Sequence, residues 1–432
     1  MSPSHPDRSF PRLHPRPARG WLNDPNGIYY GDGRWHVFFQ YNPESARHGN
    51  ITWGQMSSTD LLRWEDEGIA LRPQPGAPDS HGCWSGIAVL DDGEPVLVYS
   101  GVRDIWGGSD VMLARPGADG VGWAQSDHVA APMPESRKVL AVRDPFVFDF
   151  AGNRWALIGA SHAPGIGAIL LYDAADLTNW EERGVLVHSM QPVSKALRPA
   201  NMWECPQLVR MGHDWVLVVS LWVGGHTTDV AYLIGSLELD EVSGVPRFTP
   251  RASGVLDAGP SFYAPQAVRA GGADGGPDRV LLWGWAREVA ADGVRGRSED
   301  DAESAGWSGV LTFPRELVVE GDAVYTVPAR ELTGLRGAAA SLDSLPDQAE
   351  VLLSGSGEAE LRLAPEGEEG QVVWRGIVDD EVRILIDASL VEVFPEGETS
   401  TTLRAYPSDG ESYRLVVGPD VLVQGWELRL PD

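Results

Sequence analysis

The sequence predicts an all-β protein, a five-bladed β-propeller followed by a C-terminal β-sandwich, and three observations carry that reading. Short apolar strands recur at Trp35–Gln40, Val96–Gly101, Trp155–Ala160, Trp215–Ser220 and Val280–Trp285, about sixty residues apart each time. A turn such as Gly31-Asp32-Gly33 or Asp91-Asp92-Gly93 precedes each, with a partner strand upstream, so every unit opens on a hairpin. After Gly306-Trp307 the long period stops and short alternating strands take over.

The units begin at Asn23–Tyr30, Trp84–Leu90, Arg143–Phe150, Trp203–Arg210 and Phe262–Arg269. Each leaves room for about four strands, the composition of a propeller blade. A second echo sits two repeats apart, where Asp60-Leu61-Leu62-Arg63-Trp64 matches Asp176-Leu177-Thr178-Asn179-Trp180. Neither helical periodicity nor a βαβ alternation interrupts the pattern. Trp307–Glu316 reads as the closing strands of the last blade. Glu381–Ile386, Val391–Phe394, Ser412–Val417 and Gly425–Leu430 read as sandwich strands. The expected organisation is therefore an extension over 1–20, a propeller over 21–335 and a sandwich over 336–432. The charged stretch Glu288–Ser304 is expected as a mobile loop, placed where a rim lid would sit.

Bulk properties narrow the function. A net charge of -28 over 432 residues repels nucleic acid and anionic membrane surfaces and favours a neutral ligand. Two cysteines, Cys83 and Cys205, build neither a disulfide framework nor a tetrahedral metal set. Residues 1–20 hold no apolar run of the secretory kind and no later stretch is long enough to span a bilayer, so a cytoplasmic location is expected. The 17 tryptophans lean towards carbohydrate, because indole faces stack on sugar rings.

The innermost strands of a propeller converge at one mouth. The residues that open them, at spacings of about sixty, are Asp24, Ser85, Asp144, Glu204 and Tyr263. Three blades therefore aim carboxylates at one volume, which costs several kcal/mol unless the site uses them. An all-carboxylate set would suit only a hard cation such as calcium. Two carboxylates with a third acid, bordered by Trp and Tyr, suit glycoside hydrolysis better, so no metal or cofactor is expected. Cys205 reads as a small buried neighbour of Glu204, and His36, His162 and His226 as bystanders.

Trp21-Leu22-Asn23-Asp24-Pro25-Asn26-Gly27, Arg143-Asp144-Pro145 and Glu204-Cys205 resemble the three signature boxes of glycoside hydrolase family 32, the invertase, inulinase and levanase family. Phe38–Pro43, Trp53-Gly54, Trp84-Ser85-Gly86, Phe262-Tyr263-Ala264, Leu311–Leu317 and Ile386–Phe394 extend the likeness over nearly the whole chain. The resemblance implies a retaining β-fructofuranosidase acting on sucrose, fructo-oligosaccharides or fructans. Asp24 would be the nucleophile, Glu204 the acid/base and Asp144 the acid that steadies the transition state. Arg143 and Asn23 would keep Asp24 ionised and oriented. Gln40, Trp53, Trp84, Ser85, Tyr263 and Trp285 would grip the furanose ring. The chain departs from the family pattern at Gln55 and Ser261, on the pocket's periphery. Three readings compete: a fructosyltransferase on the same scaffold, an inverting arabinan or xylan hydrolase of the family 43 kind, and a non-catalytic sugar-binding propeller.

Overall fold

The computed structural model describes residues 5–104, 108–118, 122–136, 138–163, 165–270, 278–288 and 296–431. Five antiparallel sheets follow one another along the chain. Blade 1 comprises Gly20–Gly31, Arg34–Asn42, Thr52–Ser58 and Glu65–Leu71. Blade 2 comprises Gly82–Asp91, Glu94–Val102, Ser109–Pro116 and Trp123–Gln125, and blade 3 Val139–Phe150, Asn153–His162, Gly167–Asp173 and Glu181–His188. Blade 4 is Met202–Met211, Asp214–Val223, His226–Leu239 and Pro246–Val255. Blade 5 is Phe262–Arg269, Val280–Ala286, Arg315–Glu320 and Ala323–Pro328, joined by the short Val310–Leu311.

The second strand of every blade is sealed between neighbours on both faces. That explains why Val96–Tyr99, Ala156–Ile158, Val216–Val219 and Val280–Trp283 are almost continuously apolar and buried. One part of the expected closure differs. Trp307–Ser308 pairs in parallel with Gly20–Trp21 of blade 1, not with blade 5, and so ties the end of the propeller to its start. Only Val310–Leu311 and the strand from Arg315 complete the last blade.

Most of the channel between the blades is filled. Prolines 25, 145 and 265 with Asn26, Gln207 and Gln266 surround a void of only about 10 Å³. Above this plug opens a cavity of about 580 Å³ and below it a larger one of about 780 Å³. The smaller holds the three acids predicted to meet; the larger is lined by phenylalanines 146, 148 and 150, Trp215 and the Arg269–Asp278 ion pair.

The C-terminal sheet is built on one long hairpin, Gln348–Pro365 with Gln371–Asp387. The first half of Gln348–Pro365 pairs with Val421–Leu428 and the second half with Glu411–Val417, so the hairpin runs through both layers. Val351, Leu361, Ile384, Val393 and Tyr413 fill the space between.

The two halves meet through buried charge. Arg315, at 0% side-chain exposure, holds Asp257 at 2.8 Å and Glu392 at 2.5 Å. His14, in the segment before blade 1, bridges Asp387 (2.8 Å) and Glu392 (2.9 Å), while the backbone N–H groups of Arg12, Leu13 and His14 donate to Asp387. Burial opposes ionisation of both acids, yet Arg315 and His14 hold Glu392, and His14 holds Asp387, below the usual carboxylate range.

The expected mobile loop over Glu288–Ser304 is corrected in its second half. Residues 289–295 lie outside the described residues, but Glu299–Ala305 is a helix. Ser298 accepts from the Asp301 N–H, three acids occupy the first turn, and Gly306 ends the helix in the left-handed region. Arg47 pairs with Glu299 and Asp300, and Glu303 accepts from Ser45 and Ala46, which fixes the helix against blade 1. The short spacing Ser298-x-x-Asp301 is the signal that sequence reading passed over. Among the described residues no helix is long and apolar enough to cross a membrane.

Arg315→Met should destabilise the protein by about 3–5 kcal/mol, since Asp257 and Glu392 would remain buried without their shared cation. Urea unfolding followed by tryptophan fluorescence measures it.

Candidate active site

The upper cavity takes its shape from a β-bulge near the start of each innermost strand. In blade 3 the ladder pairs Arg143 with Gly159 and resumes at Phe146, leaving Asp144 and Pro145 unpaired. In blade 4 Glu204 pairs with Ser220 and Cys205-Pro206 bulge out; in blade 5 Tyr263 pairs with Trp285 and Ala264-Pro265 bulge out. Asn23 and Asp24 occupy the corresponding gap of blade 1, and Ser85 that of blade 2. Proline fits there because it has no N–H to give to a ladder. Asp144, Cys205 and Ala264 all sit at positive φ (62, 47 and 46°), a strained conformation that re-aims their side chains inward.

This register corrects the sequence alignment by one residue. The equivalents of Asp144 are Cys205 and Ala264, while Glu204 aligns with Arg143 and Tyr263. The slip decides Glu204's partners. Arg143 Nε donates to Glu204 Oε1 at 2.7 Å with Nη2 2.6 Å away, and Tyr263 donates its phenol proton to Oε2 at 2.6 Å. Arg143 is therefore Glu204's partner and not, as expected, Asp24's. Gly159 makes the contact possible, since a Cβ there would lie 2.5 Å from the Trp203 carbonyl oxygen and 3.3 Å from Glu204 Cα.

Asp24 is held by neutral donors alone. Ser85 Oγ donates to Oδ2 at 2.6 Å, Gln40 Nε2 to the same oxygen at 3.3 Å, and Asn23 Nδ2 to Oδ1 at 3.1 Å. Asp144 Oδ2 accepts from the Cys205 N–H at 3.0 Å, and the Cys205 thiol lies 3.5 Å from Asp144 and 3.7 Å from Asp24. Burial, with the Glu204 charge behind it, pushes Asp24 up to about 6. Asp144 is pushed to about 8 by the same two effects. Burial and the three carboxylates keep the Cys205 thiol protonated, so it can only donate. The phenol of Tyr263 is likewise raised, by burial and then by Glu204.

The walls sort the remaining residues. Asn23, Gln40, Trp84, Arg143, Tyr263 and Trp285 line the cavity, and Ser85 lies beneath Asp24. Trp53 does not: it is 0% exposed and packs on Phe38 and Tyr99, its indole N–H donating to the Trp84 carbonyl at 3.1 Å. Sequence reading missed Trp222, Trp21 and His48 at the rim and undervalued Cys205. The Cys-Pro pair, matching Asp144-Pro145, was the readable signal for Cys205. For Trp222 it was position, because the end of a second strand lies at the same mouth as the start of the first. Among the described residues no group of three or more His, Cys, Asp or Glu side chains is disposed to hold a metal ion.

A five-bladed propeller that gathers three carboxylates and several indoles in one cavity belongs with the glycoside hydrolases. The chain is a member of glycoside hydrolase family 32: residues 14–328 match the Glycosyl hydrolases family 32 N-terminal domain. It is 32% identical to the raffinose invertase of Escherichia coli, over 92% of this chain and 90% of that protein. It is also 32% identical to a sucrose-6-phosphate hydrolase of Salmonella typhimurium, over 98% and 94%. The solved family 32 β-fructofuranosidase of Bombyx mori superposes with a TM-score of 0.79 at 27% identity, covering 98% of this chain and 95% of that one. A mutant of that enzyme, 26% identical to this chain, was solved in complex with sucrose.

Ser85→Ala should move Asp24's ionisation to higher pH, because the hydroxyl bond favours the charged form. A ¹³C NMR titration of labelled aspartate carboxyls checks it.

Proposed function

We propose that the chain is a retaining β-fructofuranosidase that releases terminal β-fructofuranosyl units from sucrose and short fructo-oligosaccharides. The observation that carries this reading is the unequal support of two acids in one cavity. Asp24 receives only neutral donors, which leave it a free nucleophile, whereas Glu204 is gripped at both oxygens by Arg143 and Tyr263. A relative named raffinose invertase and the Bombyx mori sucrose complex support the substrate class.

In the first step an Asp24 oxygen bonds to the anomeric carbon of the fructosyl unit. Glu204 gives its proton to the departing glycosidic oxygen as that bond breaks. In the second step water attacks the same carbon, Glu204 takes the water's proton, and the Asp24 ester is released. Asp144 faces the ring and steadies the positive charge that develops on it. Burial and the Glu204 charge keep a proton on Asp144 up to about 8, while Asp24 ionises through about 6. The plug beneath the cavity admits one sugar end, so cutting is from the chain end.

Asp24→Ala and Glu204→Ala should each lower kcat on sucrose by roughly 10²–10⁴-fold or more while leaving the fold intact, as read by circular dichroism. Near wild-type turnover in either would remove the mechanism, and α-fructose as the first anomer seen by ¹H NMR would replace it with an inverting one.

The pH profile of kcat/KM should be bell-shaped. Activity rises as Asp24 loses its proton through about 6 and falls as Asp144 loses the one it keeps up to about 8. A profile flat across that range contradicts the assignment.

A further inference from the structure

The geometry points to Trp222 as the platform that holds the departing sugar and, in transfer, the accepting one; the inference rests on the fructosidase reading above. The furanose must sit low, between Asp24 and Glu204, among Asn23, Gln40 and Asp144. The leaving oxygen is the one Glu204 protonates, so the rest of the leaving group extends outward past Glu204 towards the rim. Along blade 4 that route passes one large side chain. Glu204 pairs with Ser220, and Met202 pairs with Trp222, two residues further out or about 7 Å along the strand. Trp222 lines the same cavity and is partly exposed.

Two features suit it to receive a sugar ring. Its indole stands 5.9 Å from the Arg143 guanidinium, which also lies 5.7 Å from the Trp84 ring, so one cation, already committed to Glu204, neighbours two indoles of the cavity wall. The hairpin that carries it is fixed from three directions. Trp222 pairs with Thr227 across the Gly224-Gly225 turn, where both glycines have positive φ. Asn201 accepts from the Gly224 N–H at 2.9 Å and donates to the Trp222 carbonyl at 3.2 Å. Arg287 reaches over from blade 5 to donate to the carbonyls of Thr227 (2.5 Å), Thr228 (2.6 Å) and Pro260 (2.9 Å). The same guanidinium lies 5.2 Å from the Tyr263 ring, the donor to Glu204. The platform is thus rigidly referenced to the acid that cuts the bond, as an aromatic anchor must be if stacking is to orient a leaving group. The ligand class is a neutral hexopyranosyl unit offering its C–H face, such as the glucosyl half of sucrose.

The test compares sucrose with methyl β-D-fructofuranoside, which carries the same fructosyl unit but no leaving sugar. In W222A the ratio of kcat/KM on sucrose to that on the methyl fructoside should fall roughly tenfold, with the loss mainly in KM. The share of fructosyl groups passed to sugar instead of water at high sucrose should fall with it. W222F should restore most of the ratio, because a ring face is kept. A ratio that W222A leaves unchanged overturns the platform. So does a fall that W222F fails to restore, since the effect would then belong to hairpin structure. Wild-type protein that hydrolyses neither fructoside overturns the fructosidase reading itself, a separate result.

Discussion

The active cavity depends on a single extra stretch of chain near the start of each innermost strand. A regular ladder would send alternate residues to opposite faces and leave the channel lined by whatever the pleat presents. The bulges break that alternation, so that Arg143 with Asp144, and Glu204 with Cys205, can serve the cavity from adjacent positions. Positive φ at Asp144, Cys205 and Ala264 is the conformational cost of this turn, and it recurs in three successive blades. Prolines 145, 206 and 265 follow each strained residue, at positions outside the ladder where a ring needs no donor partner.

The bulge also explains what the sequence could and could not convey. The sixty-residue period identified five blades and the strands that open them, because burial on both faces forces apolar runs that are visible without coordinates. It could not resolve one residue within sixty. Reading Glu204 in line with Asp144 brought together three acids that do share one cavity but gave them the wrong neighbours, and Arg143 was assigned to Asp24 when its register companion is Glu204 itself. Trp53 failed for a related reason. An indole in a motif near the mouth looks the same in sequence whether it faces the cavity or the core. The pleat decides, and here it turns Trp53 beneath Trp84. Helix Glu299–Ala305 was hidden by its composition, since acids that look like a solvated loop also stabilise a helix's first turn.

The domain junction uses charge where the blades use apolar contact. Arg315, His14, Asp257, Asp387 and Glu392 form a buried set in which every carboxylate has a cation or several N–H donors. Such pairs add little net stability over apolar packing, but they are strict about geometry, because a displaced partner leaves a charge without compensation. Through Asp387 and Glu392 the N-terminal segment joins propeller and sandwich at one point. Glu288 extends the set towards the cavity: it accepts from Gly309 N–H and pairs with Arg404, and it follows Trp285, a cavity wall, by three residues.

The same electrostatic logic separates the three acids. Identical burial would raise all of them together and leave no division of labour. What differs is the donor set, neutral hydroxyl and amide groups at Asp24, a backbone N–H and a thiol at Asp144, a guanidinium and a phenol at Glu204. A guanidinium bound to a carboxylate favours the charged state, yet the proposed first step needs that carboxylate to give up a proton. Tyr263 resolves part of the conflict, because its own proton is held firmly by burial and it can donate to Glu204 in either state. Among the neighbouring acids it is Asp144 that burial and the Glu204 charge keep protonated up to about 8. In the proposed mechanism the cavity's crowding, costly in any structural role, serves a division of roles, one carboxylate attacking while another protonates the departing oxygen.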